Sequence, residues 1–249
     1  EFSLGYLQLE DNYFQSSVID FDKDRSDRST YKLLGGSIGF YGSTLNTRQY
    51  ATKGYLEKLI AQVFTGRERF EPGNPQEGYS PSPQERQSWL QISYMKEAYH
   101  TMGPKFTLGW MAEALYSSKN FSENYTATMM QAGEFAPTPH SKLMYNEAFR
   151  ANQYVAAGIK PIYVLNDMFQ FRTEFYGFTP IFPIKKNALN KAYYGKAFSR
   201  FEYMGEVSVI CHLPFGAISA YVNHYSSPRR EWNVGMTIGW QLFNYRFVE

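Results

Sequence analysis

A single cysteine, Cys211, stands among 249 residues. A disulfide framework needs paired thiols and a Cys-rich zinc site needs several, so both are excluded. The four histidines, His100, His140, His212 and His224, are scattered without ligand spacing, and neither metal nor cofactor is expected. Net charge is only +2, from 25 basic and 23 acidic residues. With no basic run either, the electrostatic footprint of a nucleic-acid binder is missing. No stretch approaches the ~18 apolar residues of a helical membrane span. Glycine-rich stretches lie in strand-like sequence and not ahead of helices, which removes phosphate cradles. No signal peptide opens the chain: Glu1-Phe2-Ser3-Leu4-Gly5-Tyr6 already reads as strand, as in a processed protein or a piece of a longer one.

Aromatic residues are abundant instead. The 21 Tyr, 20 Phe and 4 Trp make up 18% of the chain, yet mean hydropathy is −0.46. Period-two alternation reconciles the two. Phe106, Leu108, Trp110, Ala112, Ala114 and Tyr116 share one face, against Thr107, Gly109, Met111 and Glu113. Phe169, Phe171, Thr173 and Phe175 oppose Gln170, Arg172, Glu174 and Tyr176. Tyr203, Gly205, Val207, Val209 and Cys211 oppose Glu202, Glu206, Ser208 and His212, and Trp232, Val234, Met236 and Ile238 oppose Asn233, Gly235, Thr237 and Gly239.

The pattern predicts an all-β chain of about eleven strands, at 2–9, 12–21, 31–43, 48–65, 87–101, 105–117, 153–165, 167–179, 199–212, 216–226 and 232–247. Several exceed the ~5–6 residues usual in soluble domains and reach the ~9–11 that a tilted transmembrane strand needs. Short turns (Glu10-Asp11, 43–46, 102–104, 166–167, 213–215) alternate with longer polar connections (22–30, 66–86, 118–152, 180–198, 227–231). That alternation predicts an antiparallel transmembrane β-barrel with a periplasmic C-terminus. Gly73, Pro75, Pro81 and Pro83 are read as part of an external loop rather than a linker, so residues 1–249 form one domain. Eleven strands would start residue 1 at the external end, so N-terminal strands are expected to be missing from a barrel of about sixteen. Tyr94, Tyr99, Trp110, Tyr116, Tyr163, Tyr203, Tyr221, Tyr225, Trp232, Trp240 and Tyr245, near strand ends, suit interfacial girdles.

Three family resemblances are carried by particular stretches. The C-terminal run through Gly239, Trp240, Leu242, Phe243, Tyr245 and Phe247 resembles the assembly signal of outer-membrane barrels, although Val248 and Glu249 follow the last Phe. Phe149-Arg150-Ala151-Asn152-Gln153-Tyr154, at the end of the longest loop and ahead of five strands, resembles the Arg-Gly-aromatic loop motif of the POTRA-linked outer-membrane barrel superfamily. Here Ala151 replaces the Gly and Tyr154 displaces the aromatic. That resemblance implies that loop 118–152 folds into the lumen and that Arg150 pairs with an inward acid, for which Glu174 is the natural choice. Across Gly35–Tyr41, Asn46–Tyr50, Pro137–Lys142, Phe201–Ser208 and Leu213–Ser219, the whole chain is similar to the barrels at the C-terminus of bacterial patatin-like phospholipases.

In that family a Ser-Asp hydrolase domain, usually with a POTRA domain, precedes the barrel. The one Gly-x-Ser-x-Gly run in this chain, Gly35-Gly36-Ser37-Ile38-Gly39, lies inside the strand expected at 31–43 and not at the strand-to-helix turn that a nucleophile elbow needs. The resemblance thus implies a Gram-negative outer-membrane anchor for an upstream patatin-like lipid acyl hydrolase, with no catalytic residue within these residues and a conduit role left open. Outer-membrane lipids, lipopolysaccharide and the barrel assembly machinery are the implied partners, a homodimer stays open, and nucleic acid is not among them. Two alternatives remain. One is a barrel that is itself a lipid hydrolase: His224-Tyr225-Ser226 resembles the His-x-Ser of outer-membrane lipid hydrolases, with both side chains on the face of Ile218, Ala220 and Val222. The other is a passive pore or assembly barrel with no linked enzyme.

Overall fold

The computed structural model describes residues 1–15, 20, 23–74, 85–214, 216–227 and 232–240. The chain is all-β, dominated by one antiparallel sheet. Its ten long strands are β1 (Phe2–Tyr13), β2 (Asp27–Ser43), β3 (Gly54–Glu71), β4 (Glu85–Thr101), β5 (Phe106–Ser117), β6 (Gln153–Val164), β7 (Phe169–Pro180), β8 (Glu202–Leu213), β9 (Gly216–Tyr225) and β10 (Trp232–Trp240). Each pairs with its sequence neighbours, and among the described residues the edge strands β1 and β10 have no second partner. β1 ends and β2 begins at one end of the sheet, the loop end, as do the ends and starts of β3 and β4, β5 and β6, β7 and β8, and β9 and β10. The connections 44–53, 102–105 and 165–168, and the β8-to-β9 junction, lie at the other, the turn end.

Three strand expectations are corrected. Glu10-Asp11 is no turn: β1 runs straight through it, with Glu10 opposite Thr30 and Asp11 opposite Ser29. Polar residues on both faces imitate a turn in sequence, but here the outward ones face solvent and the inward Asp11 accepts from Gln131 of loop 118–152. Of the expected strand 12–21, residues 12 and 13 belong to β1, 14, 15 and 20 are in no strand, and the rest lie outside the described residues, so among the described residues the long strands number ten, not eleven. With an even count, Phe2 enters at the turn end, where β10 also finishes, so strand parity no longer bears on what precedes Glu1. The connection expected at 43–46 extends from 44 to 53 and begins β3 at Gly54. Asn46 organises it, its Oδ1 accepting from the Thr52 and Lys53 amides at 3.0 Å. Gly54 has a φ of +90°, and a Cβ there would meet the Thr44 carbonyl, so glycine is required at the exit.

Burial along the strands is inverted relative to a water-soluble sandwich. Outward rows are apolar and exposed: Phe2 77%, Ile38 64%, Val234 79%, Met236 66%. Inward rows carry buried polar and charged groups: Arg172, Glu174, Glu206, Ser208, Ser219 and Asn223. The sheet curls around them. Tyr50, in the connection between β2 and β3, donates its hydroxyl to Ser219 on β9 at 2.8 Å, and a Cβ on Gly239 of β10 would meet Gln49 of the same connection. The expected girdle divides accordingly. Tyr94, Trp110, Tyr116, Tyr163, Tyr203 and Trp232 sit on the outward rows, whereas Tyr99, Tyr221 and Tyr225 sit on inward ones.

Candidate functional site

The inner face is filled from both ends, and three clusters do the filling. Nearest the turn end, Lys160 on β6, Arg172 and Glu174 on β7 and Glu97 on β4 form a buried charge network. Lys160 Nζ lies 2.9 Å from Glu97, and Arg172 lies 2.8 Å from Glu174. Tyr99 and Tyr176 hydroxyls donate to Glu97 and Glu174 respectively. Two cations and two carboxylates therefore balance within the network, which is what makes their burial tolerable. Glycine on the neighbouring strand makes room for each ring: a Cβ on Gly109 would strike Tyr99, and one on Gly158 would strike Tyr176. Arg172 also donates to the Ala51 carbonyl at 3.0 Å, and Gln170 to the Tyr50 carbonyl at 3.0 Å. The long 44–53 connection is thus held against the inside of β7.

Loop 118–152 fills the middle. Its helix α1 (Tyr125–Gln131) starts at Asn124, whose side chain caps the Ala127 amide at 2.8 Å. Arg150 ends it, donating to the Met130 and Ala132 carbonyls at 3.0 and 3.2 Å. Phe135 and Phe149 then pack with Tyr154, Tyr176 and Phe178 in an aromatic core inside the sheet. His140 anchors the loop's tip. Buried to 3% exposure, its Nδ1 is 2.9 Å from Glu206 on β8. On β9 its Nε2 is 3.1 Å from the Tyr225 hydroxyl and within hydrogen-bond reach of the Asn223 amide, and its ring stacks on Tyr221 at 4.1 Å.

The third cluster joins the loop to β1–β4. Tyr31 donates to Glu68 and contacts Ser122 Oγ, both at 3.1 Å, while Asn124 donates to the Tyr13 hydroxyl at 2.8 Å. Lys119 lies between the Tyr31 and Trp89 rings, 5.0 and 4.8 Å from their centroids. Burial lowers its pKa to about 8, against the pull of Glu68 and Asp11.

The predicted site residues fare differently. Arg150 does lie inside at the loop's end, but its carboxylate is Glu134, 2.7 Å away in the loop itself. The Arg150–Glu174 latch is therefore corrected: Glu174 is taken by Arg172, two residues along the same strand face. The loop histidine that meets an acid of the wall is His140, beside Glu206. The histidine sits in the sequence stretch Pro137–Lys142, and the acid on an inward row already legible in the alternation. Removing the carboxylate with Glu206→Ala should leave the buried His140 ring without that partner and cost ~1–3 kcal/mol of loop docking. Limited proteolysis would then cut within 118–152 about tenfold faster; an unchanged cleavage rate would show that the aromatic core and the contacts to β1–β4 hold the loop without this pair.

His224 and Ser226 do not form a dyad. His224 stacks on Tyr203 and meets Trp232 edge-on. Ser226 donates to Glu202 at 2.5 Å and accepts from the Tyr203 amide at 3.0 Å. No hydrogen bond joins them among the described residues, so nothing there deprotonates the hydroxyl through the imidazole. Gly239 and Trp240 of the expected assembly signal are the last residues of β10; Leu242, Phe243, Tyr245 and Phe247 lie outside the described residues. Among the described residues no cluster of His, Cys, Asp and Glu could hold a metal ion. Comparison with protein-family models, with curated proteins and with solved structures returns no match.

Proposed function

We propose that this chain is the membrane-embedded β-barrel of a Gram-negative outer-membrane protein, serving as anchor for a patatin-like lipid hydrolase domain outside this sequence. One observation carries the membrane reading: the inverted burial, with apolar rows outward and a charge-balanced network inward. In water that arrangement would expose a continuous apolar belt and bury ions for no return. In a bilayer it satisfies every row. The orientation follows the same logic, with the turn end and the end of β10 periplasmic and the loop end external. The packing of 44–53 and 118–152 against the inner wall favours an anchor over an open passive pore. The hydrolase partner rests on the whole-chain resemblance alone.

The test is the chain refolded into detergent. A folded barrel migrates faster unheated than boiled on a denaturing gel, and the anchor reading expects this shift with no esterase activity. A serine hydrolase encoded upstream of Glu1 would complete it. A compact chain soluble without detergent would overturn the membrane reading. Esterase activity lost in Ser226→Ala would instead favour catalysis by the barrel itself.

A further inference from the structure

On the outward face, three cations stand in a line across adjacent strands. Lys32 on β2 lies directly opposite Arg67 on β3, and Arg67 directly opposite Arg86 on β4. All three are exposed. Like charges in directly opposed positions repel and destabilise a sheet, so such a row calls for a counter-charge. The protein supplies none among the described residues. The contrast with the neighbouring arginines is sharp: Arg28 lies 3.5 Å from Glu10 and 3.8 Å from Glu71, and Arg69 lies 2.8 Å from Glu71. These sit further toward the loop end and are neutralised, whereas the row beneath them is not.

What lies below the row identifies the counter-charge. The next outward row holds Leu34, Thr65 and Ser88, the two hydroxyls 2.8 Å apart. Beneath it come Val63 with Leu90, Ala61 with Ile92, and Leu59 with Tyr94, of which Val63 is 58% and Leu59 44% exposed. At the opposite rim of these strands, Glu57 and Lys96 pair at 3.5 Å and cancel. Along β3 the two charged rows, Glu57 and Arg67, are ten residues apart. At ~3.3 Å per residue and a tilt of ~40°, that span is ~25 Å, the height of a barrel's apolar band. The cationic row therefore sits at headgroup level on one side of the bilayer only, above a surface fitted to acyl chains.

Resting on the barrel reading, we propose that Lys32, Arg67 and Arg86 bind the phosphate groups of an outer-leaflet lipopolysaccharide molecule, with Thr65 and Ser88 as added hydrogen-bond donors and the apolar rows below carrying its acyl chains. Two guanidinium forks and an ammonium suit phosphate oxygens, and three adjacent positions span about 10 Å, room for more than one phosphate.

The experiment is native mass spectrometry of the detergent-purified, full-length protein titrated with lipid A. One lipid A should bind the wild type, weakening as salt rises. Lys32→Gln/Arg67→Gln/Arg86→Gln should bind on the order of a hundredfold more weakly. Removing three other exposed cations near the loop end, Lys185→Gln/Lys186→Gln/Lys191→Gln, should leave binding unchanged. Equal binding by the first variant would overturn the proposal. So would equal binding of dephosphorylated lipid A, which would mean acyl contact alone, or competition by millimolar inorganic phosphate, which would mean a site for the free anion. If the triple variant does not fold, Arg67→Gln alone should weaken binding about fivefold. A wild-type chain that shows no heat-modifiable shift would fail at the barrel reading, which is a separate result from a folded barrel that ignores lipid A.

Discussion

Val207→Arg should sharply reduce the folded, heat-modifiable form of the protein in lipid vesicles. Val207 lies mid-strand on the outward face of β8, flanked by Thr173 on β7 and Val222 on β9, and is 41% exposed. Arginine at the midplane of a barrel's lipid face costs ~2–4 kcal/mol, enough to lower the folding equilibrium constant by more than tenfold. The same change on a water-facing strand would stay within about 0.5 kcal/mol. A urea titration of vesicle-refolded protein, followed by tryptophan fluorescence and gel shift, separates these outcomes. Wild-type stability in Val207→Arg would mean that the apolar belt faces something other than lipid. No substitution tests the central reading more directly, because it changes nothing inside.

The second large effect lies on the opposite face. Glu174→Leu removes the carboxylate that balances Arg172 and leaves that guanidinium, 2% exposed, without its counter-ion. Removing one partner of a buried pair typically costs ~3–5 kcal/mol. Lys160 keeps Glu97 at 2.9 Å, so the damage should centre on β7 and on the 44–53 connection that Arg172 holds through the Ala51 carbonyl. Arg172→Met/Glu174→Leu should recover most of the loss, since an apolar pair leaves no charge stranded. The midpoints of urea unfolding in detergent are the measurement. A double variant as unstable as the single one would show that Arg172 matters through its hydrogen bond to the connection rather than through charge balance.

Much of the architecture was legible in the alternation. A period of two sends alternate side chains to opposite faces, and the residues at 106–116, 169–176, 203–212 and 232–239 divide between the faces as their chemistry demands. Boundaries read less well where strands leave the apolar belt. Glu10-Asp11-Asn12 and Arg67-Glu68-Arg69 are polar on both faces, which in sequence looks like a loop; in the sheet they are ordinary ladder positions. One such misreading changed the strand count and with it the end at which the chain begins.

The inner pairings were harder. Arg150, Glu174, His140 and Glu206 could each be assigned to the interior from loop position or strand parity, but their partners could not. Strand parity places Glu174 and Arg172 on one face, and nearest neighbours along a face capture each other before a loop residue can. Arg150 likewise closes on Glu134, its cross-strand partner in the two-residue ladder formed by Gly133–Glu134 and Arg150–Ala151. The tether to β8 and β9 uses a histidine with no spacing signal at all, because its partners lie some 65 to 85 positions later in the chain.

Face chemistry, strand length and the all-β class thus follow from local alternation, since a strand's period is a property of the backbone and needs no partner. The tertiary structure alone decided which inward charges meet, how the 44–53 connection and loop 118–152 fill the interior, and that Lys32, Arg67 and Arg86 stand abreast. Those depend on the register between strands and on loop docking, which bring together residues far apart in sequence and leave no periodic trace along the chain.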